Sequence, residues 1–444
     1  MSHEALEPGR STVYKVPARP SDALRSLEFT AFFRDYRGTV FSVRTLDGWS
    51  WSSAALRAPA FVATFRSRDR LDAVIGDATE ATLGRIFLDG DLDLQGDLFA
   101  LLAVAEYTLR HSEGLSGSLI QTLGRFSAEF SRRLRPGRRH SAVSSWHCIP
   151  CPTDLPVQFF ESWLGSLLAH SCALFREPGE DFLSAQRNAL ERACAFLALD
   201  RGDRLLDVAC GWGSLLLYAA QSRQADVQGI ASTERQAEVA ADRIGRNGLE
   251  RRCSVEHRDL RAAPYRAECF DKIADIGIFE QVKPSGLGGY LASMQNLLVP
   301  GGLLLLHRMT SARHAAAPAL RSLDPDLAFQ PLSAEIANAE SAGLDVIAVE
   351  SLALEYEQTL RIWIDRLRQA WLRDVLRDLS SDMSAALDRG RRAWLLYLVE
   401  TATNLQAGDL QVHRILLRRP QRTRSATLLP RSPSGPKRSH ASSA

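Results

Sequence analysis

Between residues 184 and 310 the chain alternates two patterns of apolar and polar positions. RLLDVA, ADVQGI, RCSVEHRD, FDKIADIG and GGLLLLHRM are short apolar runs of strand length. SAQRNALERACAFLAL, LLLYAAQS and TERQAEVAADRIGRN carry apolar residues at helical spacing, and another helix is centred near Leu291. Strands of this apolarity, separated by helices, predict an α/β fold with an open, mainly parallel sheet covered on both faces. Upstream the pattern is mixed. FSVRTLDGW reads as a strand entering a turn at Asp47-Gly48, RLDAVIGDATEATLGRIFLDG as helix up to Asp89-Gly90, and LLAVAEYTLR as a further helix. Downstream, Leu352–Leu367 and Trp394–Asn404 read as amphipathic helices suited to form a lid.

At 444 residues the chain is too long for one ordinary core. The expected organisation is a flexible arm over 1–25, a smaller mixed N-terminal domain over 26–130, a basic linker over 131–150, the α/β domain over 151–417 and a basic, disordered tail over 418–444. The segment RRLRPGRRHSAVSS marks the boundary between the domains. Net charge is +2, but seven Lys or Arg and no acid lie from Arg418 onward, so the body is mildly acidic. Such segments suit solvation or anionic lipid headgroups. Neither interleaves aromatics with its charges, so nucleic acid is not an expected partner. No apolar run approaches the roughly 20 residues of a bilayer span. MSHEALEPGR has acids and no hydrophobic region, so it is not read as an export signal. Cys148 and Cys151 form a CIPC pair with no second pair at ligand spacing, so no metal site is expected and a reducing cytoplasm fits.

Candidate chemistry begins at DRLLDVACGWGS. An open parallel sheet binds ligands beyond the C-terminal ends of its strands, where Gly211 and Gly213 let the backbone approach closely. The spacing is G-x-G and no lysine follows, which excludes a Walker phosphate loop. Asp259 ends a later strand, and Asp275, Gly277 and Glu280 surround another strand end. These groups fit a nucleoside with a charged amino-acid tail, the description of S-adenosylmethionine.

DVACGWGS with FDKIADIGIFEQV, LLLLHRMT, HSCALFREPGEDFLSAQRNAL and LEYEQTLRIWIDRL resembles the cyclopropane-fatty-acid synthase family, which includes the mycolic-acid cyclopropane synthases. FLDGDLDLQGDL resembles the smaller N-terminal domain of its longer members. The resemblance implies a Rossmann-like class I methyltransferase domain. It also implies methyl transfer from S-adenosylmethionine to a cis double bond of an unsaturated phospholipid in a membrane, with proton loss to a bound bicarbonate ion to close a cyclopropane ring. The matching cradle residues are Cys172, Glu280, His307 and Tyr356, with the backbone at Met309. For the methyl donor the resemblance points to Ser171, Gly211 and Gly213 at the amino-acid tail, Asp207 under the turn, and Ala231 and Gln236 near ribose or tail. It places Asp259 on the adenine side and Ile276 with Gly277 as the floor. Phe175, Phe279, Tyr356 and Trp363 are candidate wall aromatics, which stabilise positive charge without attacking it. A cytoplasmic enzyme, peripheral on the inner face of the membrane, is expected, with the N-terminal domain serving docking or homodimer contacts.

The chain departs from the family pattern at several places. Pro152 and Thr153 replace a His-Tyr pair, His170 replaces a tyrosine, Gln281 a histidine and Ala231 a threonine. Three alternatives to ring closure therefore stay open: methylene or methyl branching, a small-molecule methyltransferase on the same scaffold, and a noncatalytic binding protein.

Overall fold

The computed structural model describes residues 20–421 except 55, 77–79, 102, 105–106, 108–154, 209, 259–265, 277–285, 312–328 and 374–380. The CIPC pair, the 131–150 linker, Asp259, Gly277, Phe279, Glu280 and Gln281 lie outside the described residues, as does the chain after 421.

The N-terminal unit is a four-stranded sheet flanked by helices. Helix α1 (Pro20–Phe32) is followed by β1 (Phe41–Thr45), β2 (Ser50–Ser52), β3 (Phe61–Phe65), α2 (Arg68–Gly76), α3 (Glu80–Leu88) and β4 (Leu92–Gly96). The last residues of the expected arm are thus the first turn of α1. The sheet order is β2-β1-β3-β4, with β1 and β3 parallel and the outer pairs antiparallel. Alternation in β1 buries Phe41, Val43 and Thr45, while Ser42 and Arg44 face outward, as period-2 geometry requires.

The larger unit starts with α4 (Val157–Leu164) and α5 (Phe182–Phe196). Then come β5 (Arg204–Asp207), α6 (Ser214–Tyr218), β6 (Asp226–Ala231), α7 (Glu234–Arg246), β7 (Cys253–His257) and β8 (Phe270–Ile276). After these follow α8 (Leu287–Leu297), β9 (Leu298–Thr310), α9 (Leu332–Ser341), β10 (Asp345–Ser351), α10 (Ala353–Arg373), α11 (Ser381–Gln406) and β11 (Gln411–Arg418). The seven-stranded sheet has the order β10-β11-β9-β8-β5-β6-β7, and β11 alone among the described strands runs against the others. This is the open, mainly parallel α/β sheet that the alternating pattern predicts. Each described strand and helix of 184–310 falls where its apolar run lies.

Two expectations shift. Arg418 closes β11 and Arg419 donates to the Asn296 and Leu298 carbonyls, so the expected tail begins inside the sheet edge. The two terminal helices are longer than predicted, and their apolar faces are core. Trp363, Leu360, Trp394 and Leu398 are at most 1% exposed and join one cluster with Phe41 and Phe61 of the N-terminal unit. Helix α11 is also tied to that unit by polar contacts. Arg392 donates to the carbonyls of Phe87 (3.3 Å) and Leu92 (2.8 Å), pairs with Asp388 at 2.7 Å, and lies over the Phe87 ring.

Removing a buried cation while leaving its partners orphaned costs about 3 kcal/mol or more. The variant Arg392→Met is therefore expected to lower the urea midpoint substantially. A midpoint equal to the wild type would show that α11 is not anchored through this guanidinium.

Candidate functional site

The glycine turn is built at the C-terminal end of β5. Gly211 and Gly213 have φ of 51° and 83°, the left-handed region that glycine enters without penalty, and Gly213 caps α6. Trp212 between them lines the ligand side together with Phe160. It is 4% exposed and packs on Phe160 of α4 at 4.9 Å between ring centroids, so the indole fastens the turn to a neighbouring helix. Gly229 on β6 is the close-approach position behind it. A Cβ there would sit 2.7 Å from Leu216 and 3.0 Å from the Cys210 sulfur.

The segment 165–173 lies over this turn and is held from four sides. Gln186 of α5 donates to the carbonyls of Leu164 (2.9 Å) and Ala169 (3.3 Å). The Ser214 hydroxyl donates to the Leu167 carbonyl at 2.7 Å. Arg243 of α7 donates to that carbonyl at 3.0 Å and also to the Trp212 carbonyl. Finally, the Ala173 N–H donates to the Thr359 hydroxyl of α10 at 3.0 Å.

Segment and turn enclose a cleft whose walls include Ser171, Asp207, Gly211, Gln236 and Ile276 among the residues expected to bind the methyl donor. Gly213 stands behind the wall as a cap, with Ser214 at the surface, and Ala231 is fully buried while its neighbour Ser232 lines the cleft. The residues present fit S-adenosylmethionine. The Gln236 side-chain oxygen is buried with no hydrogen-bond partner, an acceptor placed for a hydroxyl or ammonium, and Asp207 presents a carboxylate that is 2% exposed.

His170 is the unexpected wall member. Trp163, Trp363 and Trp394 surround its ring at centroid distances of 5.8, 5.2 and 5.4 Å. Burial holds the imidazole neutral, with its pKa depressed to about 4. Where the resemblance calls for a tyrosine, this chain thus carries an uncharged imidazole boxed by indoles. Trp163 and Trp394 gave no local signal in the sequence beyond apolarity.

A second cluster lies beside the cleft. His307 on β9 is in register with Ile276 on β8, and Cys172 follows Ser171, so cleft and cluster share a wall. His307 and Tyr356 rings are 6.3 Å apart. Cys172 is 3% exposed and neighbours Thr359, one turn along α10 from Tyr356. Burial pushes the thiol up to about 12 and, helped by the nearby Arg414 charge, brings His307 down to about 3. Of the expected cradle residues, His307 and Tyr356 thus pack together, and Cys172 is buried against Thr359 one helical turn away. Of the expected wall aromatics, Trp363 stands 6.2 Å from Tyr356, and Phe175 packs on Phe182 at 6.4 Å.

Comparison with known proteins follows the same lines. Residues 140–415 match the family described as mycolic acid cyclopropane synthetase. The chain belongs to that family. A probable fatty acid methyltransferase of Pseudomonas putida is 30% identical over 358 residues, covering 78% of this chain and 85% of the relative. The cyclopropane-fatty-acyl-phospholipid synthase of Escherichia coli is 27% identical over 274 residues, 60% of this chain and 66% of its own length. The structure of the cyclopropane synthase MmaA2 from Mycobacterium tuberculosis aligns with a TM-score of 0.54 at 21% identity, covering 64% of this chain and all of that one, a likeness of fold. This cyclopropane synthetase family member is an S-adenosylmethionine-dependent methyltransferase. Among its described residues, no helix is long and apolar enough to cross a membrane.

Arg243 and Gln186 were not legible as site residues, because their targets are backbone carbonyls distant in sequence. Replacing Arg243 with Met leaves the Leu167 and Trp212 carbonyls short of a partner and loosens the cleft roof. S-adenosylhomocysteine should then bind about tenfold more weakly by calorimetry, equivalent to about 1.4 kcal/mol. Unchanged affinity would remove Arg243 from the support of the cleft.

The two buried imidazoles also set an acid limb of stability. His170 and His307 titrate near 4 and 3 in the folded chain against an ordinary 6.5, so below 6.5 the unfolded chain binds more protons. Their neutral-state stabilisation is complete above pH 6.5 and is lost as pH falls toward those values, at about 1.4 kcal/mol per pH unit for each ring. Urea midpoints between pH 7 and 5 should fall less steeply for His307→Asn than for the wild type. An equal slope would show that His307 is already charged or solvated when folded.

Proposed function

We propose that this enzyme methylates a cis double bond in an unsaturated acyl chain of a membrane phospholipid, and that a bicarbonate ion held by Cys172, Glu280, His307 and Tyr356 accepts the proton whose loss closes a cyclopropane ring. The observation that carries this reading is that Cys172, His307 and Tyr356 are buried next to Ser171 and Ile276, which line the methyl-donor cleft. A catalyst that only methylated an oxygen or nitrogen would have no need of a second polar cluster there.

S-adenosylmethionine, when bound, supplies an electrophilic methyl carried on a sulfonium. The residues of this chain do the rest. Asp207, Gln236 and the glycine turn orient the donor, and reaction requires the reacting atoms to be held close and in line. The alkene π electrons form the new carbon–carbon bond as the carbon–sulfur bond breaks, and positive charge develops on the second alkene carbon. The flanking indoles and Tyr356 ring favour that charge and exclude the water that would trap it. Loss of a proton from the added carbon then leaves the electron pair that closes the ring. A thiol near 12 and an imidazole near 3 stay uncharged at neutral pH, so neither competes as a base with the anion they would hold.

A second reading has its own support, since the Pseudomonas relative is named a fatty acid methyltransferase. If the proton leaves a neighbouring chain carbon, the product is methyl-branched. Access to lipid is supported by the exposed Leu24, Leu27, Leu46 and Leu56 of the N-terminal unit and by the basic residues after 421, each basic residue contributing about 1 kcal/mol near an anionic surface. This reading keeps the enzyme in the cytoplasm on the inner membrane face, with the N-terminal unit also available for a homodimer.

The test uses vesicles of cis-unsaturated phospholipid and S-adenosylmethionine with a trideuterated methyl. Ring closure leaves two deuterons in a saturated product, whereas methyl branching leaves three. The variant Glu280→Gln should retain donor binding and lose about a hundredfold or more in turnover. No lipid product, or full turnover by the variant, would overturn the proposal.

A further inference from the structure

Arg414 is a buried cation that neither the glycine turn nor the cradle residues account for. It lies on β11 directly opposite His307 on β9, and directly opposed residues of an antiparallel pair project from the same face as close neighbours. Val412 and Leu416, two positions away on either side, face the same layer as Met309 and Leu305. The Arg414 side chain is 5% exposed, and its guanidinium donates to Glu350 of β10 at 2.9 Å.

Charge counting makes this pair unusual. The other Glu350 oxygen accepts from Arg192 of α5, also at 2.9 Å, and that arginine is 45% exposed. One carboxylate between two guanidiniums leaves a surplus positive charge. The exposed Arg192 is screened by water, so the unscreened surplus belongs to Arg414, within electrostatic reach of both Cys172 and His307. A structural purpose alone is a poor explanation. Buried ion pairs seldom outperform apolar packing, and Glu350 already has a partner at the surface. Glu355, on the first turn of α10, is the other acid whose charge reaches Cys172.

We infer that Arg414 is a positioning residue for the proposed proton acceptor, its positive charge beside His307 biasing the Cys172–His307–Tyr356 cluster toward a small oxyanion over water. The inference rests on the reading of that cluster as an anion cradle. Cys172, His307 and Tyr356 supply shape and hydrogen bonds but no charge, Glu280 of the proposed cradle supplies a negative one, and β11 beside them supplies the positive charge. Arg414 acts through the field rather than by contact, so Lys at this position preserves much of the effect and Glu350 opposes it.

The experiment uses the full chain saturated with S-adenosylhomocysteine in carbon-dioxide-depleted buffer, titrated with carbon-13 bicarbonate and followed by NMR and calorimetry. The wild type should bind one bicarbonate. Arg414→Gln should raise the half-saturating concentration about tenfold or more, with S-adenosylhomocysteine affinity within about twofold of the wild type. Arg414→Lys should recover most of the loss. Glu350→Gln should tighten bicarbonate binding, because it removes the neutralising acid and leaves the cation. That opposite sign separates a charge effect from a folding defect, which would weaken binding in both variants, and it stands even if Arg414→Gln fails to fold. Unchanged bicarbonate affinity in Arg414→Gln, or weaker binding in Glu350→Gln, overturns the role of Arg414. A wild type that binds no bicarbonate overturns the anion cradle itself, and the inference with it.

Discussion

The carbonyl oxygen of Leu167 is where the two halves of the site are joined. Ser214, which opens the helix after the glycine turn, and Arg243, from the helix after the next strand, both donate to it. Through that atom the segment carrying His170, Ser171 and Cys172 takes its place over the methyl-donor cleft. Arg243 also holds the Trp212 carbonyl, so turn and roof share one guanidinium. Burial lowers its pKa, but a guanidinium remains charged, and charge-assisted hydrogen bonds to carbonyls are among the stronger ones available. A loop without strand or helix hydrogen bonds of its own needs such external partners.

That arrangement explains how the chain accommodates one departure from the family pattern. Where a tyrosine is expected, His170 stands inside a box of three indoles, and a neutral imidazole is the only form that such a box accepts without a large desolvation penalty. The box is assembled from α4, α10 and α11, three helices that the sequence spaces far apart. Trp394 lies two residues beyond Arg392, whose guanidinium is set in the carbonyls of the N-terminal unit. The methyl-donor cleft is therefore continuous, through one turn of helix, with the domain that the fold appends to it.

The parts of the molecule that were legible in the sequence are those governed by local periodicity. Alternation of five apolar runs with helical segments foretold the parallel sheet, because a strand buried on both faces has no other composition open to it. Gly211 and Gly213 were legible because positive φ selects glycine. Cys172, His307 and Tyr356 were legible only through resemblance, since each alone has the composition of an ordinary core position. Arg243, Gln186 and Arg414 gave no signal, because their partners are backbone atoms or charges separated by many residues. The two terminal helices were read as a lid because their polar faces are visible in the sequence, whereas the apolar faces that join them to the N-terminal core are not assignable without a partner.

Charge placement completes the logic of the site. A reaction that develops a carbocation needs an acceptor for its proton, yet any strongly basic or nucleophilic side chain beside that cation would be alkylated or would trap it. Burial resolves the conflict by keeping the Cys172 thiol protonated and the His307 imidazole weakly basic, so both are polar without being reactive. On the proposed reading, the positive charge that would draw in an exchangeable anion sits instead on Arg414 of β11, beside His307 and tethered by Glu350. Placing shape, hydrogen bonding and charge on different elements lets each act at full strength among side chains buried from the screening of solvent.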